Sequence, residues 1–133
     1  MPVAIDTSVL ILAERGGSFE HVLPSNEGPY YIPVHSASEF LIGMQNTVRA
    51  DLRLRAQAIY HSKFLPIVSP FFERDAAQLA ALIHDLKISG QQMKFFDAAI
   101  AATVLARGDK LLADDSDFDR LSDRIEILKP AKF

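Results

Sequence analysis

The residues best equipped for chemistry in this chain are acids. Asp6 closes the short apolar run Val3-Ala4-Ile5, and Glu39 and Asp97 lie on stretches of helical periodicity. Positions 114–119 read Asp-Asp-Ser-Asp-Phe-Asp, four acids without a base. Carboxylates that converge repel one another, and a hard divalent cation that takes oxygen ligands, Mg²⁺ or Mn²⁺, is the usual remedy. The chain has no cysteine, which excludes a thiolate metal site, a cysteine nucleophile and a disulfide framework. His21, His35, His61 and His84 show no close metal-ligand spacing, and no histidine base is evident.

Whether the acids meet depends on the elements that carry them. Val3–Ile5 reads as a strand, followed by a helix capped by Asp6 or Thr7 and ended by Gly16-Gly17. Tyr30 to Val34 reads as a second strand, with a helix from Ser36 to about Gln45. A longer helix is predicted over 48–64, then a short strand at Pro66-Ile67-Val68. Ala76, Leu79, Ala80, Ile83 and Leu86 give the next helix its apolar stripe, closed by Ser89-Gly90. A last helix spans Phe96 to Arg107 and stops at Gly108, and Leu111–Ala113 and Ile125–Leu128 read as final strands. Strands alternating with helices predict a single α/β domain over 1–133, with a parallel sheet covered on both faces.

In such a sheet, ligands bind beyond the carboxyl ends of the strands. Asp6 follows the first strand, and Asp114, Asp115 and Asp117 follow the fourth, so all lie on one rim. Asp97 shares a helix face with Ala101, Val104 and Leu105; Glu39 shares one with Ile42 and Gly43, where the glycine would permit a close approach. Each acid also has a plain structural role open to it. Asp6 can cap a helix, Ser36 and Glu39 can form a capping box, and Asp97 gains from a helix dipole. Ser116 and Asp119 can form a second capping box in a solvated turn. Those roles do not explain why the acids gather at one end of one sheet.

Composition sets the frame. The 133 residues are 49% hydrophobic and 23% charged, as in an ordinary globular domain and unlike a disordered chain. A net charge of −3 gives no global basic field. The bases cluster locally: Arg49, Arg53, Arg55 and Lys63 face only Asp51 within 49–63. No apolar run approaches the roughly 20 residues of a membrane span, and the first residues lack a basic leader segment, so a cytoplasmic location is expected.

In order along the chain, Ile5-Asp6-Thr7-Ser8, Ser38-Glu39 with Gly43, Phe96-Asp97-Ala98-Ala99-Ile100-Ala101-Ala102-Thr103 with Gly108, and Leu112-Ala113-Asp114-Asp115 with Phe118 resemble the PIN-domain nucleases. The sequence looks most like the VapC-like toxins of toxin–antitoxin pairs, over nearly its whole length. The Phe96–Thr103 segment is the most specific piece. The resemblance implies four or five parallel strands, a homodimer, and a small antitoxin whose C-terminal segment blocks the site. It implies Asp6, Glu39, Asp97 and Asp115 as the acidic site residues, Asp117 as an accessory or alternative fourth acid, and Ser8 as support for Asp6. Ala113 stands where the family commonly has threonine or serine.

The implied reaction is hydrolysis of an RNA phosphodiester with one or two Mg²⁺ or Mn²⁺ ions. Asp6 and Asp97 would be inner ligands, with Glu39 and Asp115 acting through water or a second ion. Arg49, Arg53 and Lys63 could contact RNA phosphates; a solvated helix face or a dimer contact explains them equally well. Phe40, Phe71, Phe72, Phe95 and Phe96 read as core or interface. A haloacid-dehalogenase-like phosphatase also begins with a strand ending in aspartate, but it needs a second aspartate where this chain has Ser8. A PIN-like module that binds RNA or protein without catalysis is the non-enzymatic alternative; it would be favoured by loss of an acid, and none is lost.

Overall fold

The computed structural model describes residues 1–131, so the last two positions of the predicted domain lie outside the described residues. Strands β1 (Val3–Ile5), β2 (Tyr30–Pro33), β3 (Val68–Ser69), β4 (Lys110–Leu112) and β5 (Ile127–Leu128) form one sheet in the order β3-β2-β1-β4-β5. Every neighbouring pair is parallel, with Ala4 opposite both Tyr31 and Leu111. The order turns back at β1, which places the ends of β1 and β4 side by side at the rim.

Helices α1 (Thr7–Gly16), α2 (Val34–Gln45), α3 (Ala50–Ile59), α4 (Glu73–Ile88) and α5 (Phe95–Arg107) cover the two faces. One core packs Val9, Leu10 and Ala13 of α1 with Phe40, Tyr60 and Phe64 against Val3, Ile5 and Ile32. The other packs Leu82 and Leu86 of α4 with Ala98, Ile100 and Ala101 of α5 against Ala4 and Leu111. α1 and α5 stop at Gly17 and Gly108, whose φ of 75° and 70° lies in the left-handed region that glycine enters without strain. Among the described residues, no helix is long and apolar enough to cross a membrane.

Several boundaries differ from the sequence reading for identifiable reasons. α2 starts at Val34 directly after Pro33, so Ser36 is already inside its first turn and cannot open a capping box with Glu39. The 48–64 helix is split: α3 ends at Ile59 and a π-helical turn covers Tyr60–Phe64, which brings Tyr60 and Phe64 into the core. Leu65–Ile67 is a 3-10 turn, so β3 begins at Val68, and the last strand is only Ile127–Leu128. The stripe of α4 is rotated. Leu82 is fully buried while Ile83 is 45% exposed, and Ala76 and Ala80 face solvent. Leucine side chains bury far more apolar area than alanines, so Leu79, Leu82 and Leu86 decide which face turns inward.

A buried ion-pair network ties α4 and α5 to β3. Arg107 donates to Asp75 (2.9 Å), to Ser69 Oγ (2.9 Å) and to the Pro70 carbonyl (2.7 Å), and its guanidinium lies 5.1 Å from the Tyr31 ring centroid. Asp75 also accepts from the Phe72 amide at the start of α4. Burial alone would raise the Asp75 pKa, but the bonds from Arg107 and Phe72 hold it below the ordinary carboxylate value. Arg107→Met strands a buried carboxylate, so a loss of about 3 kcal/mol in denaturant unfolding is expected. Asp75→Asn should recover part of that loss in the double variant.

Candidate metal centre

Asp6 is the residue after β1 and caps α1, so the plain capping role and a ligand role coexist in one side chain. Its Oδ2 accepts from the Ser8 amide (3.1 Å) and the Ser8 hydroxyl (2.6 Å). Its Oδ1 is buried and has no hydrogen-bond partner. A buried carboxylate oxygen without a donor is costly, and a cation would satisfy it.

Four other acids share a pocket with Asp6. Asp6, Glu39 and Asp97 each offer one carboxylate oxygen within 4.8 Å of the others, and Asp97, Asp115 and Asp117 do the same. Asp97 belongs to both groups, at the start of α5, where the helix dipole favours its negative charge. All five acids line one pocket of about 150 Å³, together with Thr7, Ser8, Ile11 and Lys94. Purely oxygen donors, partly buried and with room for water, suit a hard divalent ion such as Mg²⁺ or Mn²⁺.

The electrostatics carry the mark of that crowding. Burial, opposed by the Ser8 hydrogen bonds and aided by Glu39, pushes the Asp6 carboxyl up to about 6. Burial first, and then the charges of Asp6, Glu39, Asp115 and Asp117, push Asp97 up to about 7. Without a counter-charge, this pocket resists full ionisation at neutral pH.

Neighbouring groups hold the ligands in place. Thr7 Oγ1 donates to Glu39 Oε1 (2.7 Å), fixing α2 to α1 at the site. Asp115 Oδ1 accepts from the Asp117 amide (2.6 Å), so Asp115 caps the 3-10 turn Ser116–Leu121, and the Ser116–Asp119 box does not form. Ser8 Oγ also accepts the Asp114 amide (3.0 Å), linking the β1 and β4 ends through one hydroxyl. Ala113 is buried in the α5-side core and does not line the pocket. Ser8→Ala is expected to lower Mn²⁺ affinity about 10–100-fold by calorimetry, the range for removing a group that orients a ligand.

The predicted acids therefore meet, but some of the reasoning behind them needs correction. Ile42, which shares the Glu39 face of α2, is 49% exposed, so that face does not turn into the core. A Cβ on Gly43 would meet nothing within 4 Å, so that glycine permits no close approach. His35 sits in the first turn of α2, its ring 4.6 Å from that of Phe71, and burial lowers its pKa. Arg49 pairs with Asp51, Arg53 donates to the Thr47 carbonyl, Arg55 pairs with Glu14 and Lys63 with Glu20. None of them lines the acidic pocket. Sequence reasoning missed Thr7 and Lys94; only adjacency to Asp6 and a place three residues before Asp97 could have flagged them.

Sequence comparison bears on the same residues. The family model described as PIN domain matches residues 3–124, from β1 through the acidic turn after β4, and the chain belongs to that family. No curated protein matches it by sequence. Solved structures do match in fold. The structure of VapBC2 from Rickettsia felis bound to a promoter DNA fragment aligns with a TM-score of 0.78 at 14% identity, covering 98% of this chain and 99% of that one. VapBC-5 from Mycobacterium tuberculosis, of the VapBC family of toxin-antitoxin systems, aligns with a TM-score of 0.75 at 23% identity, covering 97% and 98%. VapC20 from M. tuberculosis, a sarcin-ricin loop cleaving toxin, gives 0.62 at 17% identity over 89% and 93%.

Proposed function

We propose that this chain is a divalent-metal-dependent endoribonuclease acting as the toxin of a toxin–antitoxin pair. The observation that carries the reading is one pocket lined by five carboxylates, in two groups that share Asp97, with a buried Asp6 oxygen that has no hydrogen-bond partner. Family membership and the likeness to VapBC structures support it.

Asp6 and Asp97 are the inner ligands in this reading, and Glu39 and Asp115 act through water or on a second ion, with Asp117 as an accessory acid. When bound, Mg²⁺ or Mn²⁺ supplies a water of lowered pKa and neutralises charge on the attacked phosphate. Ser8 engages Asp6 through Oδ2, which leaves Oδ1 for a ligand, and Thr7 commits one Glu39 oxygen, leaving Oε2 for a ligand or a water. The acids keep RNA phosphates out until a cation is bound, so the metal-free protein binds RNA weakly.

A groove of about 270 Å³ runs from Glu39 between α1, α2 and α3, with Ile11, Phe40, Met44 and Leu52 on its walls and Arg55 at its side. Its apolar floor suits the C-terminal segment of an antitoxin, and its junction with Glu39 suits an arginine or lysine that pairs with the acids in place of metal.

Incubation with single-stranded RNA tests the activity. Cleavage is expected with Mn²⁺ and none with a chelator; intact RNA under both conditions would favour a non-catalytic binding module. Expression of the chain alone is expected to slow growth. Co-expression of the small protein encoded beside it should relieve that effect only while its tail retains a basic residue. Normal growth at high levels of folded protein would remove the toxin assignment and leave the nuclease.

A further inference from the structure

Lys94 and Phe95 are consecutive residues at the start of α5, and the acidic centre uses neither. Lys94 is exposed, is the one basic residue lining the acidic pocket, and joins none of the ion pairs among the described residues. An ammonium beside five carboxylates that does not close onto any of them remains available to an anion that approaches the pocket. Phe95 is 58% exposed, yet its ring is held in place. His35 lies 5.9 Å away at 70°, Phe96 lies 6.0 Å away at 75°, and His35 is braced in turn by Phe71. Among the described residues no ring stacks parallel on Phe95, and the aromatic cluster adjoins the pocket through Lys94, Asp97 and the α2 turn that leads to Glu39.

We propose that Lys94 and Phe95 form a subsite for one nucleotide of single-stranded RNA, with its phosphate on the Lys94 ammonium and its base against the Phe95 ring. This rests on the nuclease reading above. A base and its phosphate are separated by a sugar, a spacing that neighbouring side chains on one helix start can match. An unpaired base stacks readily on an aromatic ring, gaining about 1–3 kcal/mol, whereas a base inside a duplex is not free to do so. Lys94 adds a phosphate contact that does not depend on sequence. The subsite thus selects unpaired segments and positions the neighbouring phosphodiester over the acids. The ring cluster of His35, Phe71 and Phe96 orients Phe95 without touching the substrate.

Steady-state cleavage of a short single-stranded oligoribonucleotide with Mn²⁺ tests this on the full chain. Phe95→Ala is expected to raise KM about tenfold, the change that roughly 1.4 kcal/mol of lost stacking produces, with Phe95→Trp restoring it. Lys94→Ala should raise KM and make it less salt-dependent, by about one phosphate contact. Mn²⁺ affinity, read by calorimetry, should be unchanged in Phe95→Ala. An unaltered KM in both variants, with the parent cleaving normally, overturns the subsite and leaves the nuclease reading intact. So does a Lys94→Ala variant whose only change is tighter Mn²⁺ binding, or a Phe95→Ala variant whose raised KM comes with a lower mass in solution than the parent's. A parent that neither cleaves nor binds the RNA overturns both readings.

Discussion

Asp6→Asn is expected to reduce RNA cleavage by at least about 100-fold while the domain remains folded. Removing a group that merely orients a ligand costs up to about that much, and Asp6 offers the buried oxygen itself. The amide keeps the side-chain volume, and its oxygen can still accept the Ser8 hydrogen bonds that cap α1. The metal-free variant should therefore melt no lower than the parent, because a buried group that resists ionisation has been replaced by a neutral one. Cleavage rates and circular dichroism on the same preparation separate the two effects. Parental cleavage by a folded variant would remove Asp6 from the site.

Asp97→Asn is expected to act in opposite directions on stability and on metal binding. A carboxyl whose pKa is raised by folding favours the folded state while it is protonated. For Asp97, and for Asp6 beside it, that contribution is complete below about pH 4. It is lost as pH rises through about 6 for Asp6 and about 7 for Asp97. Metal-free parent protein should consequently lose stability between pH 4 and 7 relative to Asp97→Asn. At pH 8 the variant is expected to melt about 3–6 °C higher, the shift that roughly 1 kcal/mol produces in a domain of this size. Added Mn²⁺ should reverse the ranking, since it binds the folded, ionised parent and stabilises it by mass action. The Mn²⁺ increment should grow with pH over the same window, as the cation no longer competes with protons. Melting curves from pH 5 to 8 with and without Mn²⁺ read all of this; identical pH profiles for the two proteins would contradict the crowding at Asp97.

How legible these features were depended on the interaction that fixes each one. Asp6 and Asp97 could be read because short-range rules place them: a three-residue apolar strand must end at Asp6, and the Ala-rich face of α5 must turn inward. The five parallel strands followed from the alternation of elements, and the reversal at β1 brought the β1 and β4 ends together. Glu39 was found for the wrong local reason. Its helix begins two residues earlier than Ser36 suggested, and it is Thr7, on another helix, that holds its carboxylate. The rotation of α4 turned on the size difference between leucine and alanine, which a pattern of apolar letters does not weigh. The basic residues of 49–63 faced only Asp51 in sequence, yet Glu14 and Glu20 pair with two of them as well as Asp51 with Arg49. Two of those partners lie more than 40 positions away in the chain. Lys94 was overlooked because a single lysine carries no periodic signal, although it stands three residues before Asp97 and the fold brings it to the same pocket.

Binding of Mn²⁺ to the metal-stripped protein, with no RNA present, tests the centre most directly. Titration followed by electron paramagnetic resonance of free Mn²⁺ should show saturable binding to the parent at neutral pH. Because Asp97 is common to both groups of acids, Asp97→Asn should lose all of that binding, whereas Asp117→Asn should keep the portion held by Asp6, Glu39 and Asp97. Free Mn²⁺ that rises in step with the amount added to folded parent protein, with no binding up to millimolar concentration, would contradict a metal centre at this rim.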